Sequence, residues 1–205
     1  EKFLTNVIDK SSIANIYIAD NASTDNSVSF LVDNFPSVKI IKNKSNGGYA
    51  KGYNDALKDL KEKYFVLLNS DIEVTNNWIL PIINLMEENS NISACQPKIL
   101  DYNNKDCFEY AGASGGFIDN LGYPFSRGRI FDVVESDNNQ YNDIKEIFWA
   151  SGACLFIRAE HFNLVNGFDN DFFAHQEEID LCWRLKNRGF QIMVNPNSVV
   201  FHVGG

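Results

Sequence analysis

Hydrophobic positions along the first hundred residues switch repeatedly between helical spacing and short apolar runs, the signature of alternating helices and strands. Phe3, Leu4, Val7 and Ile8 recur at helical spacing, so the chain opens inside a helix. Residues 13–19 form a β-branched run that reads as a strand and ends in Asp20, Asn21 and further turn and N-cap types through Ser27. A helix through Phe30, Leu31 and Phe35 follows, then a strand over 38–42, a polar Gly-rich turn ending at Gly47 and Gly48, and a helix over 49–62. The sharpest signal is 64–68, five apolar residues without polar alternation, which predicts a strand buried on both faces of a parallel sheet. It stops at Asn69, Ser70 and Asp71, three polar groups foreign to that core. Strands alternating with helices predict right-handed crossovers, hence an α/β fold with a mostly parallel sheet and helices on both faces.

In the second half, Asn77 reads as the N-cap of a helix through Trp78, Ile82, Leu85 and Met86, with Pro81 tolerable in its first turn. A strand is expected over 92–100. Residues 101–146, rich in Gly, Asn and Asp, predict short antiparallel strands and loops laid over the sheet, shaping an acceptor side. Residues 146–158 read as one long strand in which Gly152 marks a bulge or a close backbone approach. Residues 175–189 predict a helix with a glycine C-cap. On it, Glu177, Asp180, Arg184 and Arg188 share a solvated stripe, with Asp180 and Arg184 spaced to pair. Glu178 instead aligns with Leu181, Cys182 and Leu185, and a carboxylate aimed along a buried face needs a partner or a cavity. Glu178 is therefore the candidate general base, with Glu177 placed to orient it. His202, near the end of an apolar run, is on pattern alone more often a core or turn residue than a ligand.

Asp20, Asn46 and Asp71 each follow a separate strand at its carboxyl end, where open α/β sheets bind ligands, so the three are expected on one rim. With 205 residues, 44% of them hydrophobic, a single domain over 1–205 is expected. The net charge of −9 argues against a nucleic-acid partner, because no basic stripe exists to replace phosphate counterions. It does not argue against a nucleotide, whose diphosphate can be met by a divalent cation and backbone N–H groups. Cys95, Cys107, Cys154 and Cys182 lack metal-ligand spacing, and Cys154 and Cys182 read as buried thiols of a reducing compartment. No apolar run approaches the roughly 18 to 20 residues that span a bilayer, and no signal peptide is read, so a soluble, cytoplasmic protein is expected.

The blocks Ile18-Ala-Asp20-Asn-Ala-Ser-Thr-Asp25, Asn46-Gly-Gly-Tyr-Ala-Lys-Gly-Tyr-Asn54, Leu67-Leu-Asn-Ser-Asp71 and Trp149-Ala-Ser-Gly152 occur in that order. Gly167-Phe-Asp-Asn-Asp-Phe-Phe173, Glu177-Glu-Ile-Asp-Leu-Cys-Trp-Arg184 and Phe201-His-Val-Gly-Gly205 complete the series. Together they resemble the family 2 inverting glycosyltransferases of GT-A fold, in particular their bacterial rhamnosyltransferase-like branch, over nearly the whole chain. The resemblance implies a nucleotide-binding half, 1–100, and an acceptor and catalytic half, 101–205. It implies that Asp20 hydrogen-bonds the donor's pyrimidine base with Asn21 beside it. Asn46, Gly48, Gly52 and Asn54 would flank the nucleoside, and Asn69, Ser70 and Asp71 would meet the diphosphate. Asp71 would be a metal ligand and His202 a second, for Mn²⁺ or Mg²⁺, the imidazole tilting the choice toward Mn²⁺. Trp149, Ser151 and Gly152 would lie near the sugar and acceptor, and Glu178 would occupy the position of the base.

Three departures accompany the resemblance. Asn69 stands where the family has the first carboxylate of its Asp-x-Asp motif, and Glu178 where many relatives have Asp. The family also places a central strand and its nucleotide-contacting turn before the helix at Phe3. This chain lacks both, so a gap is expected between the strands at 13–19 and 64–68, and the chain is expected to be truncated at the N-terminus, with the C-terminus left open. The function implied is transfer of a sugar from a dTDP- or UDP-linked donor to a hydroxyl of a growing cell-surface polysaccharide or lipid-linked glycan, with peripheral association at the inner face of the plasma membrane and the oligomeric state left open. The alternatives are a non-catalytic sugar-nucleotide or glycan-binding module, or a sugar nucleotidyltransferase, which would need a Gly-rich basic phosphate loop that is not seen.

Overall fold

The computed structural model describes residues 2–204; Gly205, the last residue of the closing block, lies outside the described residues. The first half runs α1 (Leu4–Lys10), β1 (Tyr17–Asp20), α2 (Ser27–Asn34), β2 (Lys39–Lys42), α3 (Gly48–Leu57), β3 (Tyr64–Leu68), β4 (Ile72–Val74), α4 (Leu80–Glu88) and β5 (Ile92–Asp101). The second half begins with two small hairpins, β6 (Gly116–Ile118) with β7 (Pro124–Ser126) and β8 (Arg129–Ile130) with β9 (Val133–Val134). It continues through β10 (Lys145–Ile147), β11 (Cys154–Arg158), α5 (Ala159–Leu164), α6 (Glu177–Lys186) and β12 (Gln191–His202).

Several boundaries differ from the sequence reading for local reasons. β1 starts at Tyr17 because Ile13 sits in a turn, 61% exposed. α3 stops at Leu57, ahead of the charged run 58–63, in which Leu60 is the one apolar residue and still packs on the core. Asn77 takes a left-handed turn (φ 57°) before α4, whose N-cap is Ile79 with Pro81 in the first turn. The single strand expected over 146–158 is two, β10 and β11, separated by a loop holding Trp149, Ser151 and Gly152.

The sheet is also mixed, where a mostly parallel one was expected. Its order is β10-β12-β5-β11-β3, with β4 added on β12. β12 runs parallel to β5, but β11 inserts antiparallel between β5 and β3. Helices cover both faces. Phe65, Leu67, Leu155, Ile157, Ile192 and Val194 pack with Ala50 of α3, Phe162 of α5 and Leu181 and Leu185 of α6. Their strand neighbours Cys95, Cys154, Phe156 and Val200 pack with Trp78, Ile82 and Met86 on the side of α4, which Val7 of α1 joins. This alternation is what pleated strands with two covered faces require.

β1 and β2 pair in parallel as a separate two-stranded sheet. Between β1 and the outer edge of β3 lies a cavity of about 970 Å³, at the place where the gap was expected. Its depth is lined by apolar groups, including Leu4, Val7, Ile18, Val66, Leu68 and Trp78. β3 is consequently paired on one side only among the described residues, and Val66 and Leu68 are half-buried rather than sealed.

Candidate active site

Strand ends bring the polar groups together. The mouth of the 970 Å³ cavity is lined by Asp20 and Asn21 at the tip of β1, Gly48, Tyr49 and Gly52 on α3, and Asn69 and Ser70 at the tip of β3. Three asparagines knit this rim. Asn21 Nδ2 donates to Asn46 Oδ1 and to the Gly48 carbonyl, both at 2.9 Å, and Asn43 Nδ2 donates to Asn21 Oδ1 (3.2 Å) and to the Gly52 carbonyl (2.9 Å). Asn46 Oδ1 in turn accepts from the Gly48 N–H at 3.0 Å. Gly48 has φ 74°, and a Cβ there would overlap the Phe173 carbonyl, so both its conformation and its space require glycine. Asp20 holds its own turn, accepting the Ser23 N–H at 3.2 Å. Asn54 points elsewhere: it donates to the Phe168 carbonyl and Asn170 Oδ1 and accepts the Phe168 N–H, fixing the 168–170 loop.

Antiparallel pairing of β12 with β4 sets His202 opposite Ile72, and so beside Asp71. His202 Nε2 lies 3.2 Å from Asp71 Oδ1 and 3.5 Å from Asn69 Nδ2. On the ring's other side, Nδ1 lies 3.3 Å from Glu109 Oε1, off the N–H direction, so that it is close without an aligned hydrogen bond. Burial alone would lower the His202 pKa, but the Glu109 and Asp71 carboxylates outweigh it and hold it above the ordinary value. Two cis ligands of an octahedral ion, each about 2.1 Å from it, stand about 3 Å apart, so Asp71 Oδ1 and His202 Nε2 fit as a ligand pair. Glu109 sits on the opposite nitrogen and cannot close on the same ion. Among the described residues no group of three or more His, Cys, Asp or Glu is arranged to chelate a metal alone.

The third element is α6, reached through two consecutive left-handed residues, His175 (φ 72°) and Gln176 (φ 73°). Glu178 faces the loop before β11, toward the Gly152 N–H. Burial and then the neighbouring Glu177 push its carboxyl up to about 7, against the backbone N–H groups of Glu178 and Gly152. One of its oxygens, Oε2, is buried without a partner. Glu177 departs from the solvated stripe: it is 4% exposed and burial raises its pKa. Asp180 and Arg184 do pair, at 2.7 Å.

Residues 149–152 are held from several sides. Trp149 is buried, its indole N–H donating to the Phe117 carbonyl at 2.9 Å, with Gly116 flat against the ring. Ser151 is buried too, and its N–H donates to Gln96 Oε1 at 2.8 Å. At Gly152 the expected close approach is found: Tyr49 Oη donates to its carbonyl at 2.6 Å. Tyr49 is itself raised well above its usual pKa by burial and, further, by the charges of Tyr53, Glu178 and Glu177. Tyr49, Asn43, Gln96 and Glu109 were not singled out from the sequence. Only Asn43, the first polar residue after a strand, carried a readable signal.

Residues 1–158 match the family described as Glycosyl transferase family 2. The N-acetylglucosaminyl-diphospho-decaprenol L-rhamnosyltransferase of Mycobacterium tuberculosis (strain ATCC 25618 / H37Rv) is 25% identical over 205 residues, covering 91% of this chain and 66% of that protein. Rhamnosyltransferase WbbL of Escherichia coli (strain K12) is 27% identical over 167 residues, covering 77% of this chain and 62% of that protein. The chain thus spans just under two thirds of the length of these relatives. Among solved structures, GalNAc-T7 with UDP, GalNAc and Mn²⁺ superposes with a TM-score of 0.77 at 16% identity, over 98% of this chain and 40% of that one. The mannosyltransferase PcManGT from Pyrobaculum calidifontis, in complex with GDP-Man and Mn²⁺, gives 0.62 at 13% identity, over 98% and 52%. At these identities the likeness is one of fold, and the fold is the glycosyltransferase GT-A arrangement.

Proposed function

The chain belongs to glycosyl transferase family 2, and from that premise we propose that it transfers a sugar from a nucleoside diphosphate donor to a hydroxyl of a growing glycan, with inversion at the anomeric carbon. The observation that carries this reading is Glu178, half-buried with one carboxyl oxygen sealed and unpartnered, its pKa pushed up to about 7 beside the loop of Ser151 and Gly152. A general base works best when its pKa lies near the operating pH, and desolvation is the usual way a carboxylate reaches it. Glu178 would take the acceptor's proton as that oxygen attacks the face opposite the leaving diphosphate. Glu177 raises Glu178 by like charge, and Tyr49 pins the Gly152 carbonyl so that the loop keeps its place against the base.

Asp20, Asn21 and the asparagine rim offer donors and acceptors for the nucleoside at the mouth of the cavity. Asp71 and His202 would hold a divalent cation, whose chemistry when bound is to neutralise charge building on the departing diphosphate. Both superposed structures hold Mn²⁺, which supports this choice of ion. A rhamnosyl donor and a prenyl-diphosphate-linked acceptor are favoured by the names of the relatives. Such an acceptor would be met at a membrane surface, and no helix among the described residues is long and apolar enough to cross one.

The test is calorimetric titration with UDP, dTDP and GDP, each with and without Mn²⁺, followed by nucleotide release from dTDP-rhamnose. Metal-dependent binding of one nucleotide, and its release only when a prenyl-diphospho-N-acetylglucosamine acceptor is added, are the expected results. Pyrophosphate release would make the protein a nucleotidyltransferase; binding without acceptor-dependent turnover would make it a binding module.

A further inference from the structure

Among the described residues Glu109 is a buried carboxylate, 4% exposed, and nothing in the reaction above uses it. Its two oxygens are divided between two tasks. Oε2 accepts the backbone N–H groups of Ala111 (2.8 Å) and Gly112 (2.7 Å), closing the turn that follows it. Oε1 lies 3.3 Å from His202 Nδ1, off the N–H direction, so it acts on that nitrogen as a close buried charge rather than through an aligned hydrogen bond. Asp71 approaches the other nitrogen at a similar distance, but its side chain is 39% exposed against 5% for Glu109. Attraction to a proton is stronger on the side that water does not screen.

We propose that Glu109 is a positioning residue that keeps the His202 proton on Nδ1 and so leaves Nε2 as the lone-pair nitrogen facing Asp71 and the metal position. Metal-binding histidines commonly present the second nitrogen to a carboxylate in this way, which fixes tautomer and ring orientation. The inference rests on the reading of Asp71 and His202 as metal ligands for its consequence, though not for the tautomer itself.

Glu109→Gln tests it with little loss of volume. The Ala111 and Gly112 N–H groups demand an acceptor, so the amide oxygen stays on the turn and the NH₂ turns toward His202. An NH₂ there can only donate, which requires Nδ1 to be the lone-pair nitrogen and moves the ring proton to Nε2. Imidazole nitrogen shifts of metal-free protein at alkaline pH, assigned among the three histidines with His202→Ala, should report Nδ1–H in the wild type and Nε2–H in Glu109→Gln. Titration with Mn²⁺ alone, followed by electron paramagnetic resonance, should show affinity falling about 10- to 100-fold in Glu109→Gln. Glu109→Asp, which keeps the charge but is one methylene shorter, should fall between, with the thermal midpoint of Glu109→Gln close to the wild type.

An unchanged tautomer in Glu109→Gln overturns the proposal. So does unchanged Mn²⁺ affinity in that variant while His202→Ala loses binding, which would leave Glu109 as a turn-closing residue only. A wild type that binds no Mn²⁺ through His202 overturns the metal reading instead, and the nitrogen shifts, read without metal, still decide what Glu109 does to the ring.

Discussion

Glu178→Gln separates the base from the fold because the same burial that would make Glu178 a base also costs stability. In the ligand-free protein its pKa lies at about 7 against an ordinary 4.5, so the folded chain holds this proton more tightly than the unfolded chain. Stability from the neutral carboxyl is therefore complete below pH 4.5 and is lost as pH rises through 7. The rise corresponds to on the order of 3 kcal/mol that the ionised form lacks at pH 8. Gln has the shape of the protonated acid and still accepts the Gly152 N–H, but never ionises. Urea titrations should find Glu178→Gln more stable than the wild type at pH 8, by up to that amount, and equal to it near pH 4. Turnover should fall by about two to four orders of magnitude in the same variant with nucleotide binding intact. Wild-type activity should climb as pH passes through about 7. Equal stability of the two proteins at pH 8 would refute the reasoning, since it would mean the carboxylate is not desolvated; normal turnover in the variant would remove Glu178 from the mechanism.

Gly116→Ala puts a methyl group into the Trp149 indole, which is fixed from behind by its hydrogen bond to the Phe117 carbonyl. A loss of about 1 to 3 kcal/mol in urea titrations is expected, with a change in tryptophan fluorescence. Asn54→Ala removes all three hydrogen bonds that hold the 168–170 loop and should cost about 2 to 4 kcal/mol. Limited proteolysis should then cut that loop first. Tyr49→Phe loses the hydrogen bond to the Gly152 carbonyl and the interaction of its hydroxyl with Tyr53, about 1 kcal/mol of stability. Its turnover should drop several-fold with nucleotide affinity unchanged, and equal turnover would show that the 149–152 loop is held without it.

Local pattern made the parts of the fold legible where one stretch of chain decides its own structure. Residues 64–68 form β3 as read, because an uninterrupted apolar run bounded by polar turns has few other uses. The apolar side of α6, with Leu181, Cys182 and Leu185, is buried as read because periodicity fixes a face, but of the two acids at its start Glu177 is the buried one and Glu178 is half-buried. What pattern did not carry is pairing between distant segments. The insertion of β11 between β3 and β5 joins residues some ninety positions apart, and no local rhythm announces it. The break between β10 and β11 was hidden because Trp149 and Ala150 look like strand residues, while Gln96, which takes the Ser151 N–H there, sits in another strand. Glu109 was invisible for a related reason. It is a single acid in a turn-rich stretch, and only the long register of β12 against β4 and β5 brings His202 to it.

Gln96 shows how these distant pairings make one site of two halves. It is wholly buried in the middle of β5, where an amide is tolerated only with its polar atoms satisfied. Its Nε2 donates to the Gly112 carbonyl at 3.1 Å and its Oε1 accepts the Ser151 N–H at 2.8 Å. Gly112 belongs to the turn that Glu109 closes, and Glu109 faces His202. Ser151 precedes Gly152, whose N–H and carbonyl face Glu178 and Tyr49. Gly112 and Ser151 also touch directly, for a Cβ on Gly112 would come within 2.7 Å of the serine side chain. A shift of the turn on the metal side therefore moves the loop on the base side, since the amide between them has no slack and a buried unpaired end would cost about 1 to 3 kcal/mol. In the proposed reaction, the spacing between the Asp71–His202 pair and Glu178 would therefore depend on a core side chain that belongs to neither.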